Sequence, residues 1–419
     1  YTRDLVYSVN TQYAGNTVGF KKLCLRLTIR KAMREGWLSE HMFIMGVHGP
    51  KERVTYFTGA FPSACGKTST AMVEGETIIG DDIALIKRIN GEVRTVNVEC
   101  GIFGIIQDVN AKDDPLIFKA LNTPGEVIFS NILAKDGKTY WSGDGREHPA
   151  DGENFSGAWF SGKKNAQGKD IPPSHKNARF TLKLSALPNL DPLADDPKGV
   201  RVGGMIFGGR DSDTCVPVQQ AFNWAHGVVT MAAGQESETT AATLGKEGVR
   251  AFQPMANLDF LSVPVGEYLH NYLLFPLGLI ERPAIFGVNY FLVKDKTAPQ
   301  KDYLNGRHDK RIWLKWMELR VNGEVNALEA PTGLIPCHED LKALFKRELN
   351  KDYTIEDYNT QFTTRIPENL AKIERILKIY ESDPTTPKVF YDIMDEQRQR
   401  LLAAQARHGD YIKPEVFRK

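Results

Sequence analysis

The chain has 419 residues, 42% apolar and 25% charged, enough to bury a large core in one α/β unit or two domains. Its net charge of +1 gives no general pull toward nucleic acid or an anionic membrane, so any anion site must be local. Five scattered cysteines without a CxxC pair argue against a disulfide framework or a structural zinc and for a reducing, cytoplasmic setting.

In chain order, Leu5 to Val9 reads as a strand, and the opening without Met or an apolar leader hints at part of something longer. Tyr13-Ala14-Gly15-Asn16 is expected in a polar loop, followed by a helix over 20–36 that ends near Gly36. Met42 to Val47, Val54 to Phe57 and Thr77 to Ile79 read as strands. Residues 83–98 form a predicted hairpin around Asn90-Gly91, the strongest two-residue turn signal. Residues 142–177, rich in Gly, Lys, Asn and Pro, are expected to be a long irregular excursion. Gly203 to Gly209 and Pro283 to Val293 read as buried strands. The apolar stretch 272–293 is interrupted by Pro276, Glu281, Arg282 and Pro283, so it does not span a bilayer. Beyond Glu339 the chain is helical, with Leu370, Ile373, Leu377 and Tyr380 on one apolar stripe. The predicted class is α/β with a mixed sheet.

The most informative stretch is Phe61-Pro62-Ser63-Ala64-Cys65-Gly66-Lys67-Thr68-Ser69, followed by Gly80-Asp81-Asp82. Backbone amides and Lys67 suit phosphate oxygens, Thr68 can ligate a cation, and the aspartates can hold it. The loop departs from the usual GxxxxGK[ST] pattern because Phe61 stands where the first glycine belongs. A GKT triplet alone also fits a glycine turn capping a helix. GKT followed 13 residues later by two carboxylates at the end of a short strand is equipment for phosphoryl transfer. The segment 234–248, rich in small and polar residues, suits a lid that excludes water, with Glu236, Ser237, Thr239 and Thr240 in it.

With YAGN…KK, EGWLSEHM, FPSACGKT, GDDIA, NARF, IFGGR, AFNWAHGV, ESETTAA and VNYF in collinear order, the chain resembles the GTP-dependent phosphoenolpyruvate carboxykinases, and its C-terminal half is most similar to their archaeal-type branch. The resemblance implies a P-loop-like mononucleotide-binding domain with a cleft closed by a lid. It also implies decarboxylation of oxaloacetate and phosphorylation of the enolate by GTP, giving phosphoenolpyruvate, CO2 and GDP in gluconeogenesis. Residues 1–36 would then be the remnant of an N-terminal substrate lobe. Residues 37–419 would be the nucleotide-binding domain, with about 92–200 as a phosphoenolpyruvate-binding subdomain. A monomer is expected.

By that resemblance, Lys22, His41 and Asp82 would ligate one Mn²⁺, while Thr68 and Asp81 would hold the Mg²⁺ that accompanies GTP. Lys21, Lys67, Cys65, Arg179 and Arg210 would be catalytic. Tyr13, Gly15, Ser63, Asn177 and Arg179 would line the substrate pocket. Ala64, Cys65, Gly66, Lys67, Thr68, Ser69 and Arg210 would cradle the nucleotide, with Phe291 and Tyr303 against its base. Cys65, at a helix N-terminus beside Lys67, is expected to be a low-pKa thiol.

Three departures qualify the resemblance. Ala14 replaces a usual glycine, and Asn305 to Lys310 replaces a PGFGEN segment that contacts guanine. An N-terminal lobe with a substrate-binding arginine has no counterpart, so the chain looks like the C-terminal two-thirds of an enzyme. The altered base pocket leaves ATP or pyrophosphate open as the phosphoryl donor. A nucleotide-binding regulator without turnover is a more distant alternative, and the metal set of Lys22 and His41 speaks against an ordinary small-molecule kinase.

Overall fold

The computed structural model describes residues 13–63, 65–239, 248–296 and 301–418, with side chains from residue 20 onward. Its first element is a helix, Tyr13–Glu35, longer than the sequence suggested. Tyr13 to Asn16 therefore belong to the helix rather than to a loop. The helix stops at Gly36, whose φ of +72° is the left-handed conformation glycine supplies cheaply at a helix end. Leu25, Ile29 and Ala32, spaced at i, i+4 and i+7, are buried, whereas Leu23 and Leu27 are exposed.

The helix packs on an eleven-stranded mixed sheet. At its centre three parallel strands lie side by side: Val54–Ala60, Val200–Gly209 and Ala284–Asn289. Phe43–His48 runs antiparallel to the first of these, and Thr77–Gly80 runs antiparallel to Phe43–His48. Thr77–Gly80 therefore points the same way as the central three. The expected hairpin is present as Ala84–Ile89 and Glu92–Asn97, with Asn90 and Gly91 at φ +53° and +81°. Leu38–Glu40 pairs with its outer strand, and the opposite wing contains Val218–Gln220, Gly333–Pro336 and Ala327–Ala330.

The period-two alternation of the strands separates two apolar layers. Phe43, Met45, Ile206 and Phe286 face one layer, which is completed by the helix Lys310–Val321. Ile44, Met205, Phe207 and Ile285 face the other, against the first helix, the helix Val265–Leu274 and the C-terminal helices Ile366–Tyr380 and Lys388–His408. On Ile366–Tyr380 the buried stripe is Ile366, Ile373, Ile376 and Tyr380, with Leu370 and Leu377 at its margins.

Residues 101–183 add a three-stranded antiparallel sheet (Gly101–Ile105, Arg179–Lys183, Val127–Ser130) and a four-stranded one. The latter takes up part of the stretch expected to be irregular, because Asp151–Asn154 and Gly157–Phe160 form a hairpin. Its tight turn is closed by Asn154 Oδ1, which accepts from the Ser156 amide and hydroxyl. Among the described residues, no helix is long and apolar enough to cross a membrane.

Candidate functional site

The central strands carry their side chains to one edge of the sheet. Ala60 leads into the Phe61–Gly66 loop, Gly209 into Arg210, Asn289 into Tyr290-Phe291, and Gly80 into Asp81-Asp82. Ligand sites in open α/β sheets form at such carboxyl ends. Phe61, the residue that breaks the usual loop pattern, is buried between the rings of Phe43 and Tyr290, with centroids 5.9 and 6.0 Å away. Its ring occupies the space in which a Cβ on Gly208 would stand, 2.0 Å from Phe61 Cε1. Gly208, on the neighbouring strand, thus leaves the room that the Phe61 ring fills. Gly66, at φ +101°, turns the chain into the short helix Lys67–Ala71. Its carbonyl accepts from the hydroxyls of Ser69 (3.2 Å) and Thr70 (2.7 Å).

Above this turn lies a compact charge cluster. His41 Nε2 is 2.7 Å from Asp82 Oδ1 and 2.9 Å from Lys67 Nζ, and Lys67 also pairs with Asp82. Lys21 bridges Asp82 and Glu99, at 2.9 Å from the latter. Burial first, then Lys67 and Lys21, holds His41 well below the usual histidine range. Its imidazole is therefore neutral, and the contact with Asp82 is not an ion pair. His41 Nδ1 lies 3.3 Å from the Ala256 carbonyl, which can only accept; a proton on Nδ1 satisfies this contact and leaves the Nε2 lone pair to accept from Lys67 Nζ. The imidazole nitrogen and a carboxylate oxygen thus face each other, with Lys67 Nζ within reach of both. Burial also lowers Lys67, to about 7, against the opposing charges of Asp81 and Glu99.

Beside the cluster, Thr68 Oγ1 donates to Asp81 Oδ2 at 3.3 Å. Asp81 Oδ1 is buried without a hydrogen-bond partner among the described residues. Lys22 extends over the ring of Phe260 (5.8 Å), which itself packs on His41 at 4.6 Å. Arg210 lies over Phe291 and donates to the Tyr303 hydroxyl at 3.2 Å. Phe291 and Tyr303 meet edge to face at 5.8 Å.

The family model for the phosphoenolpyruvate carboxykinase C-terminal P-loop domain matches residues 37–400. The chain belongs to this family. It is similar to the phosphoenolpyruvate carboxykinase [GTP] of Pyrococcus horikoshii, 60% identical over 417 residues that cover 99% of this chain and 66% of the relative. The enzyme of that name from Thermococcus kodakarensis is 60% identical over 98% of this chain and 65% of its own length. The one from Saccharolobus solfataricus is 48% identical over 98% and 66%. The chain thus spans just under two thirds of the length of these relatives.

The family's motif residues gather unevenly. Lys21, His41, Lys67, Thr68, Asp81 and Asp82 converge. Arg179 binds Asn177 Oδ1 at 2.9 Å and lies over Phe103, with no ion pair to the cluster among the described residues. Ser63 is exposed at the loop. Ala64 and Thr240 lie outside the described residues, as does the side chain of Tyr13.

Two expectations are corrected. Cys65 is not an activated thiol. It is buried against Ser237 Oγ at 3.2 Å, and that burial raises its pKa by more than Ser237 and Arg210 lower it. Glu236 and Ser237, expected in a lid, lie in a buried strand, Glu236–Glu238, paired with Arg250–Phe252. Glu236 is gripped by Arg375 at 2.7 and 2.9 Å, and Thr239 closes the stem onto Val249. The intervening residues 240–247 lie outside the described residues.

The site also uses residues that the sequence reading passed over. Glu99 follows no motif. Tyr290, which accepts from Thr70 Oγ1 at 3.1 Å, stood in plain view within VNYF.

Proposed function

We propose that this chain carries the nucleotide and cation machinery of a phosphoenolpyruvate carboxykinase, which decarboxylates oxaloacetate and phosphorylates the resulting enolate from GTP. The observation that carries this reading is the His41 Nε2–Asp82 Oδ1 acceptor pair beside the phosphate-loop lysine. A neutral imidazole nitrogen and a carboxylate oxygen form a donor set that suits Mn²⁺, with Lys22, which reaches the same Phe260 ring that packs on His41, as a third ligand. Thr68 and the unpartnered oxygen of Asp81 suit the Mg²⁺ of a nucleotide. When bound, these cations supply Lewis-acid stabilisation of an enolate oxygen and neutralise phosphate charge.

The remaining roles fall to the chain's own groups. Lys67 donates to the β- and γ-phosphate oxygens, an electrostatic contribution that is worth most in a buried site. Lys21, oriented by Asp82 and Glu99, places a second positive charge beside the reacting oxygen. Arg210 leaves Phe291 to meet the transferred phosphoryl group, and Phe291 and Tyr303 then take the base. Arg179 grips the substrate carboxylate, for which a guanidinium is geometrically matched, and Asn177, Tyr13, Gly15 and Ser63 line the pocket around it. In this reading residues 1–36 are the remnant of an N-terminal substrate lobe, and about 92–200 form the phosphoenolpyruvate-binding subdomain.

The test is phosphoenolpyruvate formation from oxaloacetate by the full-length parent protein with Mn²⁺ and Mg²⁺. GTP and ATP are offered in turn, and phosphate in the carboxylating direction. GTP-dependent turnover is expected. Turnover with ATP or pyrophosphate chemistry alone would overturn the donor, and none with any donor would sink the enzyme reading.

A further inference from the structure

Glu40 ends the strand Leu38–Glu40 and is fully buried, next in the chain to His41. Its carboxyl accepts from the Tyr268 hydroxyl and, at 3.3 Å, from Asn257 Nδ2. Asn257, also fully buried, donates to the Tyr268 oxygen at 2.8 Å. A buried carboxyl carries a desolvation cost that an aliphatic side chain would not. Among the described residues its side-chain hydrogen bonds go to Asn257, just after the turn Pro254–Ala256, and to Tyr268 in the helix that follows.

That turn is strained. Met255 and Ala256 both stand at φ +51°, a left-handed conformation that residues with a β-carbon rarely adopt. Such a conformation persists only when its surroundings over-determine it. Here Ala256 N bonds to Gln253 O (3.0 Å), Asn257 N to Pro254 O (3.0 Å) and Phe260 N to Asn257 O (2.9 Å). The Asn257 side chain fastens the whole segment to Glu40. The result is delivered to His41: the Ala256 carbonyl meets Nδ1 at 3.3 Å, and Phe260 packs on the ring at 4.6 Å.

We propose that Glu40 is a positioning residue for His41. Through Asn257 it holds the strained turn whose carbonyl fixes the imidazole proton on Nδ1, leaving Nε2 to face Asp82. This rests on the reading of His41 as a divalent-cation ligand, for which a fixed tautomer is a second requirement beyond the ligand itself.

The test uses full-length parent protein labelled with ¹⁵N-histidine, with the His41 signals assigned by their loss in His41→Ala. The wild-type imidazole is expected to be protonated at Nδ1, and the Nε2–H form would overturn the proposal without any variant. Glu40→Gln, which retains hydrogen bonding to Asn257 and Tyr268, should keep the tautomer and bind Mn²⁺, read by electron paramagnetic resonance, within a few-fold of wild type. Glu40→Leu should mix the tautomers and weaken Mn²⁺ binding by roughly 10–100-fold. A folded Glu40→Leu protein with wild-type tautomer and affinity would overturn the proposal. Unchanged Mn²⁺ affinity in His41→Ala would instead sink the ligand reading, and the tautomer measurement would still decide the role of Glu40.

Discussion

The guanidinium carbon of Arg210 stands 3.7 Å from the centroid of the Phe291 ring, so the arginine covers the aromatic surface here proposed to take a nucleotide base. A cation over a ring is worth about 0.5–2 kcal/mol, and a base stacked on an aromatic about 1–3 kcal/mol. The two are close enough for the base to displace the guanidinium. Phe291→Ala should weaken nucleotide binding about tenfold, less than a full stack because the cation–π contact is lost from the free protein too. Competition against a fluorescent nucleotide measures this. An unchanged Kd would point to a donor without a base.

Phe61 and Gly208 share one volume, so Gly208→Ala should shift the Phe61 ring and with it the phosphate loop. A cost of about 1–3 kcal/mol is expected from overpacking of this kind, seen as a lowered Tm and weaker nucleotide binding. Adding Phe61→Leu should restore part of both. Failure of the second change to rescue the first would show that the loop does not depend on this packing.

Cys65 should be among the slower cysteines to alkylate. Its thiol is buried and its pKa is raised, so the thiolate is scarcer near pH 8 than for an ordinary cysteine. Cys24 and Cys100 are exposed. Peptide mass spectrometry after a timed iodoacetamide reaction should find both modified well before Cys65. Preferential labelling of Cys65 would mean that the Ser237 contact opens in solution.

His226 couples stability to acid pH. Burial lowers it to about 4, although its Nε2 faces Gln397 Oε1 at 2.9 Å. Between that value and the ordinary 6.5 the unfolded chain binds a proton that the folded chain refuses, so stability rises with pH across this window and is lost on acidification. The full difference is about 3 kcal/mol. His226→Gln should flatten the Tm profile between pH 4.5 and 6.5, and a wild-type slope in the variant would assign the effect elsewhere.

The legible parts of the sequence were those whose partners lie nearby. Asn90-Gly91 dictates a hairpin through its own backbone preferences, and Asp81-Asp82 follows an apolar strand that can only end where it does. Lys21, Lys67 and His41 were readable through family motifs. Local signals failed where distant chain decides the outcome. Cys65 has the neighbours of a reactive thiol, but Ser237, 172 residues away, closes over it. Residues 142–177 have a loop-like composition, yet short strands with polar outer faces need few apolar residues. Ile376 escaped the stripe on its helix because Leu370 and Leu377 fit the spacing as well. Nothing beside Glu40 or Glu99 in the chain announces the Asn257 or Lys21 that each one meets.

The three central strands work as a ruler for the site. Gly209 lies in register with Asn289, and Ala60 with Phe207, so Arg210, Phe291 and the phosphate loop are spaced by backbone hydrogen bonds rather than by their own side chains. Because strand side chains alternate with period two, one residue added to or removed from Val200–Gly209 would turn Arg210 toward the opposite face of the sheet. The hairpin Asp151–Phe160, by contrast, belongs to a separate small sheet and can change length without disturbing that spacing.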